Sequence, residues 1–346
     1  MFHAPRPRDH HDVAAVIPYL IGYHPTDTLV CVAVQDGLVT AASTMPLPDP
    51  HPEPDDTARV EYAAQVTAEA GTAAIVVGYG PGDRVNAATT QLTAALTGLH
   101  VPVLAALRVG DGRVFCLGCG RDCPTDGIPY DPSTSPVVTE LVCRGAVALP
   151  DAAAFAARIS PVDGPARKAT DDASTRGCVW MAQHLHAPVD QQDMARIVAR
   201  GVGAVDRAHA AAERGETLTD DDLGWLTALL LTPQVRTHAW TRTDGSPAHE
   251  QLWTDVLRRA TPELAAAPAC LLAITASLTG KGPLARLAVE RALQAGPDDP
   301  FTQAISHAVH AGLPPSAWRD AITRIQARPT RTTPASSDHG PLTGRR

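Results

Sequence analysis

Lysine is nearly missing from this chain. Of 346 residues only Lys168 and Lys281 are lysine, so arginine carries almost all of the positive charge. The formal net charge is −8 and no run of basic residues is long enough to track a phosphate backbone, so nucleic acid is not expected as a partner. No apolar window approaches the roughly 20 residues that cross a bilayer, and no membrane partner is expected either. Met1–Asp12 is rich in His, Pro and Arg, where a secretory signal would carry an apolar stretch. Aromatic residues are scarce, at 4%. Their few members, Trp180, Trp225, Trp240, Trp253 and Trp318 among them, read as anchors between helices. The seven cysteines are odd in number and scattered, which fits a reducing compartment better than a disulfide framework. A cytoplasmic protein is expected. The chain is long enough to bury an ample core without metals or disulfides, and no cofactor is expected.

Assembled catalytic motifs are missing too. There is no Gly-x-Ser-x-Gly elbow, no His-Glu-x-x-His and no Gly-rich loop followed by Lys-Ser/Thr.

What is present falls into two kinds of pattern. Val13–Ile21 reads as a short helix capped by Asp12. Leu29–Val34 and Leu38–Ser43 read as strands joined through Gln35-Asp36-Gly37, a turn suited to an antiparallel hairpin. Helices over Asp56–Ala70 and Asp83–Thr97 bracket an apolar strand, Ala73–Val77. A further strand, Val101–Leu107, turns at Gly110-Asp111-Gly112 into Val114–Cys116, and Ser135–Arg144 closes the series as a helix. The order implies a mixed sheet, parallel at its centre and antiparallel outside.

Beyond residue 150 strand signals stop. Met194, Ile197, Val198, Val202 and Val205 share a helix face that Gly215 ends, and Thr219-Asp220 caps the next helix. Ala265–Thr279, Pro283–Ala295, Thr302–Ala311 and Pro315–Ala327 follow as closely spaced helices. Leu272, Ala273, Gly280, Ala285, Ala292 and Pro297 fall at the spacings of one tetratricopeptide-like hairpin. The expected organisation is an α/β mixed-sheet domain over 1–150, an all-α helical domain over 151–328 and a disordered tail over 329–346.

The segment Pro18-Tyr19-Leu20-Ile21-Gly22-Tyr23-His24-Pro25-Thr26-Asp27-Thr28-Leu29-Val30 carries a resemblance. Together with Arg113–Gly127 and Leu271–Pro315, it resembles a bacterial family common in high-GC Gram-positive bacteria, domain of unknown function 4192, over roughly residues 12–320. The resemblance implies a fold and no reaction. It also marks two departures: Lys281 stands where members carry an acidic residue, and Pro46-Leu47-Pro48 where they tend to have Asp-Leu-Pro.

Three groups could carry chemistry. His24 and Asp27 lie where the chain turns into the first strand, and Gly78, Gly80 and Gly82 form a strand-to-helix loop that could present amides to a ligand. The simpler reading of both is a turn, with Pro81 removing one amide donor. Cys116, Cys119 and Cys123 could hold zinc, with Cys143 or a histidine as fourth ligand; a second ligand pair is missing, so ordinary thiols are the simpler reading. His10, His11 and Asp12 read as part of a capped N-terminus rather than a metal cluster. The expected function is non-catalytic binding or scaffolding of a protein partner on the helical half. The alternative is a small-molecule site, or an enzyme, at the sheet edge near His24, Asp27 and Gly78–Gly82.

Overall fold

The computed structural model describes residues 7–48, 54–118, 123–185 and 190–327. Cys119 and the tail beyond residue 327 lie outside them.

Helix α1 (His10–Ile21) starts three residues before the position expected from the sequence. Both Asp9 and Asp12 precede the apolar run, and Asp9 takes the cap, its carboxylate accepting from the Asp12 amide. Asp12 is instead buried inside the first turn, where it accepts from the Ser135 hydroxyl at 2.6 Å and from the Arg8 amide. Gly22 ends the helix in the left-handed region (φ +93°), its amide bonded to the Pro18 carbonyl.

The strands are β1 (Thr28–Gln35), β2 (Leu38–Pro46), β3 (Ala73–Tyr79), β4 (Val103–Gly110), β5 (Arg113–Cys116) and β6 (Ile128–Pro129). Asp36 and Gly37 both adopt positive φ, as a two-residue hairpin turn requires, and Gln35 faces Leu38 across it. Asp111 and Gly112 repeat the device between β4 and β5. Helices α2 (Pro54–Ala70) and α3 (Gly82–Gly98) flank β3 in sequence. The sheet order is β2-β1-β3-β4-β5-β6, and only the central pair β3/β4 is parallel. The mixed sheet read from the sequence is the sheet observed.

Beyond Pro129 the described elements are helices and single 3-10 turns, apart from one bridge between Leu149 and Tyr23. They are α4 (Pro136–Cys143), α5 (Ala152–Ala157), α6 (Pro165–His184), α7 (Gln191–Glu213), α8 (Asp220–Leu229), α9 (Pro233–Arg242), α10 (Pro247–Arg259), α11 (Ala266–Leu278), α12 (Gly282–Ala295), α13 (Pro300–His310) and α14 (Pro315–Gln326). The chain is an N-terminal α/β region followed by a helical region.

Helix α6 is one that apolar spacing does not flag. Its buried face is Thr170, Ala173, Ser174, Gly177 and Met181, mostly small residues. They let α8 come close: a Cβ on Gly224 would lie 2.5 Å from the Ala173 Cβ, and one on Gly177 2.8 Å from the Ala228 Cβ. The buried face of α7 runs through Ile197, Gly201, Ala204, Val205, Ala208 and His209, so Met194, Val198 and Val202 sit at its half-exposed margin.

Alternation along the strands creates two cores. Leu29, Cys31, Ala74 and Val76 point toward α2 and α3, joining Val60, Ala64, Leu92 and Leu96. Val30, Val32, Val77 and Leu107 point the other way, joining Ala14 and Ile17 of α1. That second core runs on through Tyr23 and Phe155 into the helical region, where Trp253, Leu257 and Leu272 belong to the same cluster.

The two regions also meet at the sheet edge. Gly280, in the turn after α11, and Gly282, the first residue of α12, sit against β2 so closely that a Cβ would lie 2.7 Å from the Thr40 carbonyl oxygen and 2.2 Å from that of Ala42, respectively. Arg286 donates to the next outward carbonyl, Thr44, at 3.0 Å. Gly312 packs on Val66 of α2.

Candidate functional site

The sheet-edge residues come together in part. His24, Asp27 and Gly80 line a hollow of about 390 Å³ with Tyr79, Pro81, Val109 and Tyr130. Gly78 and Gly82 are not among its walls. Gly78 lets α3 approach β3, since a Cβ there would strike Val85 at 2.3 Å. Three of the polar groups around the hollow, on Asp27, Gly80 and Tyr79, have partners within the fold. Arg84 donates to the Asp27 carboxylate at 3.2 Å and to the carbonyls of Leu47 and Pro48. The Gly80 amide donates to the Val109 carbonyl, and the Tyr79 hydroxyl to that of Ala14. Burial raises the Tyr79 phenol well above its ordinary pKa and pushes Tyr130 up to about 12, so both stay neutral donors. His24 packs edge-on to Tyr19, its backbone amide bonded to Leu149.

A larger cleft, which no sequence motif marks, lies between the two regions. It measures about 510 Å³ and has β2 and α2 on one side, α12 and α13 on the other. Its apolar floor includes Ala33, Ala42 and Met45; Arg59, Tyr62, Arg286, Glu290 and His310 supply polar groups. The Tyr62 hydroxyl is buried with no hydrogen-bond partner among the described residues, and burial pushes its pKa to about 12 despite the nearby Arg286 charge. The His310 ring is held by the Ser306 carbonyl one turn earlier, to which its Nδ1 donates at 2.8 Å. Its walls are supplied by residues far apart in the chain, which is why the sequence gives no sign of it.

The cysteines divide by depth. Burial pushes Cys31 up to about 11 and Cys270 to about 12, so both are inert core thiols. Cys143 is exposed at the end of α4 and joins no metal-ligand cluster among the described residues. Cys116 and Cys123 do converge, and they converge on His10, all three donor atoms lying within 4.8 Å of one another. Asp9, His11 and Asp12 also cluster, but each is engaged in holding the fold. Asp9 caps α1, Asp12 holds Ser135, and the His11 ring bonds the Asp131 backbone. No helix among the described residues is long and apolar enough to cross a membrane.

Taken together these features define a mixed-sheet α/β region closed on one edge by a helical bundle, with an interfacial cleft and no assembled catalytic constellation among the sites described. The family profile described as "Domain of unknown function (DUF4192)" matches residues 11–316, and the chain belongs to that family. No curated protein and no solved structure matches it.

Proposed function

We propose that this is a non-catalytic binding protein whose ligand is a small molecule bearing an anionic group, held in the cleft between β2/α2 and α12/α13. The cleft itself carries the reading. Its volume of about 510 Å³ falls in the range of small-molecule sites, roughly 300–1,000 Å³. Arg59, Arg286 and His310 outnumber the single acid Glu290 along its walls, which favours an anion, while Ala33, Ala42 and Met45 suit an apolar body. A concave hollow also favours a small molecule over the protein partner expected from composition.

Native mass spectrometry of the full chain, purified gently, tests this. The expected result is a co-purifying mass of a few hundred daltons, lost in Arg286→Ala and in the cleft-filling Ser43→Trp, and retained in His24→Ala and Asp27→Asn. The reverse pattern moves the site to the sheet edge; no retained mass after supplementing with cell extract metabolites defeats the proposal.

A further inference from the structure

The geometry points to a zinc site built from His10 Nδ1, Cys116 Sγ and Cys123 Sγ. The three residues come from separate places: the first turn of α1, the end of β5 and the segment leading to β6. Residues 113 positions apart in sequence are thereby brought face to face, with His10 Nδ1 3.6 Å from Cys123 Sγ. That separation has a physical meaning. Zinc–sulfur bonds of about 2.3 Å and zinc–nitrogen bonds of about 2.05 Å, set at the tetrahedral angle, place the two donors about 3.6 Å apart. A lone thiol beside an imidazole needs no second sulfur nearby; here Cys116 lies within 4.8 Å of both. None of the three is fully buried, and His10 and Cys116 also line a hollow of about 730 Å³, so a metal has a path in from solvent.

Cys116 is disulfide-bonded in the structure. Zinc therefore binds only the reduced chain. A dithiol reductant supplies two electrons and two protons, the sulfur–sulfur bond breaks and two thiols form while the dithiol becomes a disulfide. Zn²⁺ then displaces the protons of Cys116 and Cys123 to solvent and takes the neutral His10 ring at Nδ1. The bound metal pins the start of α1 to the β5 end of the sheet. This inference is independent of the ligand proposed for the cleft.

The test is metal analysis of the full chain, reduced with a dithiol, offered zinc alone and desalted. Expected are about one zinc per chain, a melting temperature that a chelator lowers, and thiolate-to-metal charge-transfer absorption when cobalt(II) replaces zinc. In His10→Ala and in Cys123→Ser the zinc retained after desalting should fall at least about tenfold, while far-ultraviolet circular dichroism stays native. Both positions are surface-accessible, so loss of fold does not confound the result. Reduced wild-type protein that holds no zinc overturns the site. Zinc retained undiminished in His10→Ala removes the histidine and overturns the assignment, as does zinc held equally well by the unreduced chain.

Discussion

The two faces of the sheet are built from the same strands by the same alternation, yet they belong to different structures. The face under α2 and α3 closes a small core of its own around Leu29, Val76, Leu92 and Leu96. The opposite face begins under α1 and never closes: through Tyr23 and Phe155 its core continues to Trp253 and Leu272 in the helical region. One face is complete within the first 110 residues or so, whereas the other is finished only by helices that come much later. A boundary between regions drawn from secondary structure therefore does not coincide with a boundary in the packing.

Removing Trp253 gives the strongest test of that contrast. Its ring is fully buried, contacts His209 edge-on and donates from Nε1 to the Thr243 hydroxyl. Trp253→Ala should cost about 4 kcal/mol, and hydrogen exchange at Val30 and Val32 should quicken along with that of the surrounding helices. Strand amides that stay protected while the helices open would break the idea of one shared core. The complementary Leu92→Ala, expected to cost about 3 kcal/mol, should act through the closed face.

Gly22→Val probes the joint between the faces. The residue combines φ +93° with a site where a Cβ would lie 2.7 Å from Phe155, so backbone strain and overpacking add. A loss of about 3 kcal/mol is expected in equilibrium denaturation, against less than about 1 kcal/mol for His24→Ala at the half-buried hollow. A larger loss for His24→Ala would mean the hollow carries more structure than its contacts show.

Acid should expose the helical region first. Burial holds His209 down to about 4, below its ordinary 6.5, with His249 and Arg242 lowering it further and the Val205 carbonyl and Asp206 opposing them. Between those values the unfolded chain binds the extra proton. The stabilisation is therefore complete above pH ~6.5 and is lost as pH falls toward 4, by up to about 3 kcal/mol. His209→Gln should flatten that part of the stability–pH curve; an unchanged slope would shift the cause to another group.

The smallest effect is expected at Lys281. Its ammonium meets Glu250 at 2.5 Å, and Arg158 reaches the same carboxylate at 3.3 Å. Because Lys281 is half-exposed, Lys281→Ala should cost less than about 1 kcal/mol, and Arg158 should keep Glu250 paired. A loss several times larger would show that the pair, and not the neighbouring glycines, fastens the helices to the sheet.

Legibility in the sequence tracked the range over which each interaction acts. The hairpins were readable because Asp36-Gly37 and Asp111-Gly112 supply positive φ locally, and strands such as Leu29–Val34 and Ala73–Val77 because short apolar runs mark them without help from distant residues. The start of α1 was misread because two aspartates compete for one cap and the choice depends on Ser135, 123 positions away, which claims Asp12. Gly280 reads in the sequence as part of a helical hairpin; that it and Gly282 are the points where the helical region touches β2 is invisible without the second surface. The cleft and the place of His10 beside Cys123 share that obscurity. Residues 165–184 escaped notice for a different reason, since small residues mediate much of their close packing and leave no strong apolar rhythm.

The cover over β2 has a consequence in time. Thr40, Ala42 and Thr44 direct their carbonyls outward along the edge strand, and the groups that meet them arrive with Gly280, Gly282 and Arg286. Arg286 lies 242 residues after Thr44, so at a synthesis rate of about 5–20 residues per second the nascent strand waits on the order of 12–50 s for its cover. Throughout that interval an unpaired edge stands ready to pair with another chain. At the opposite border the two-residue β6 is too short to offer the same template, so the exposure of this sheet during translation is one-sided.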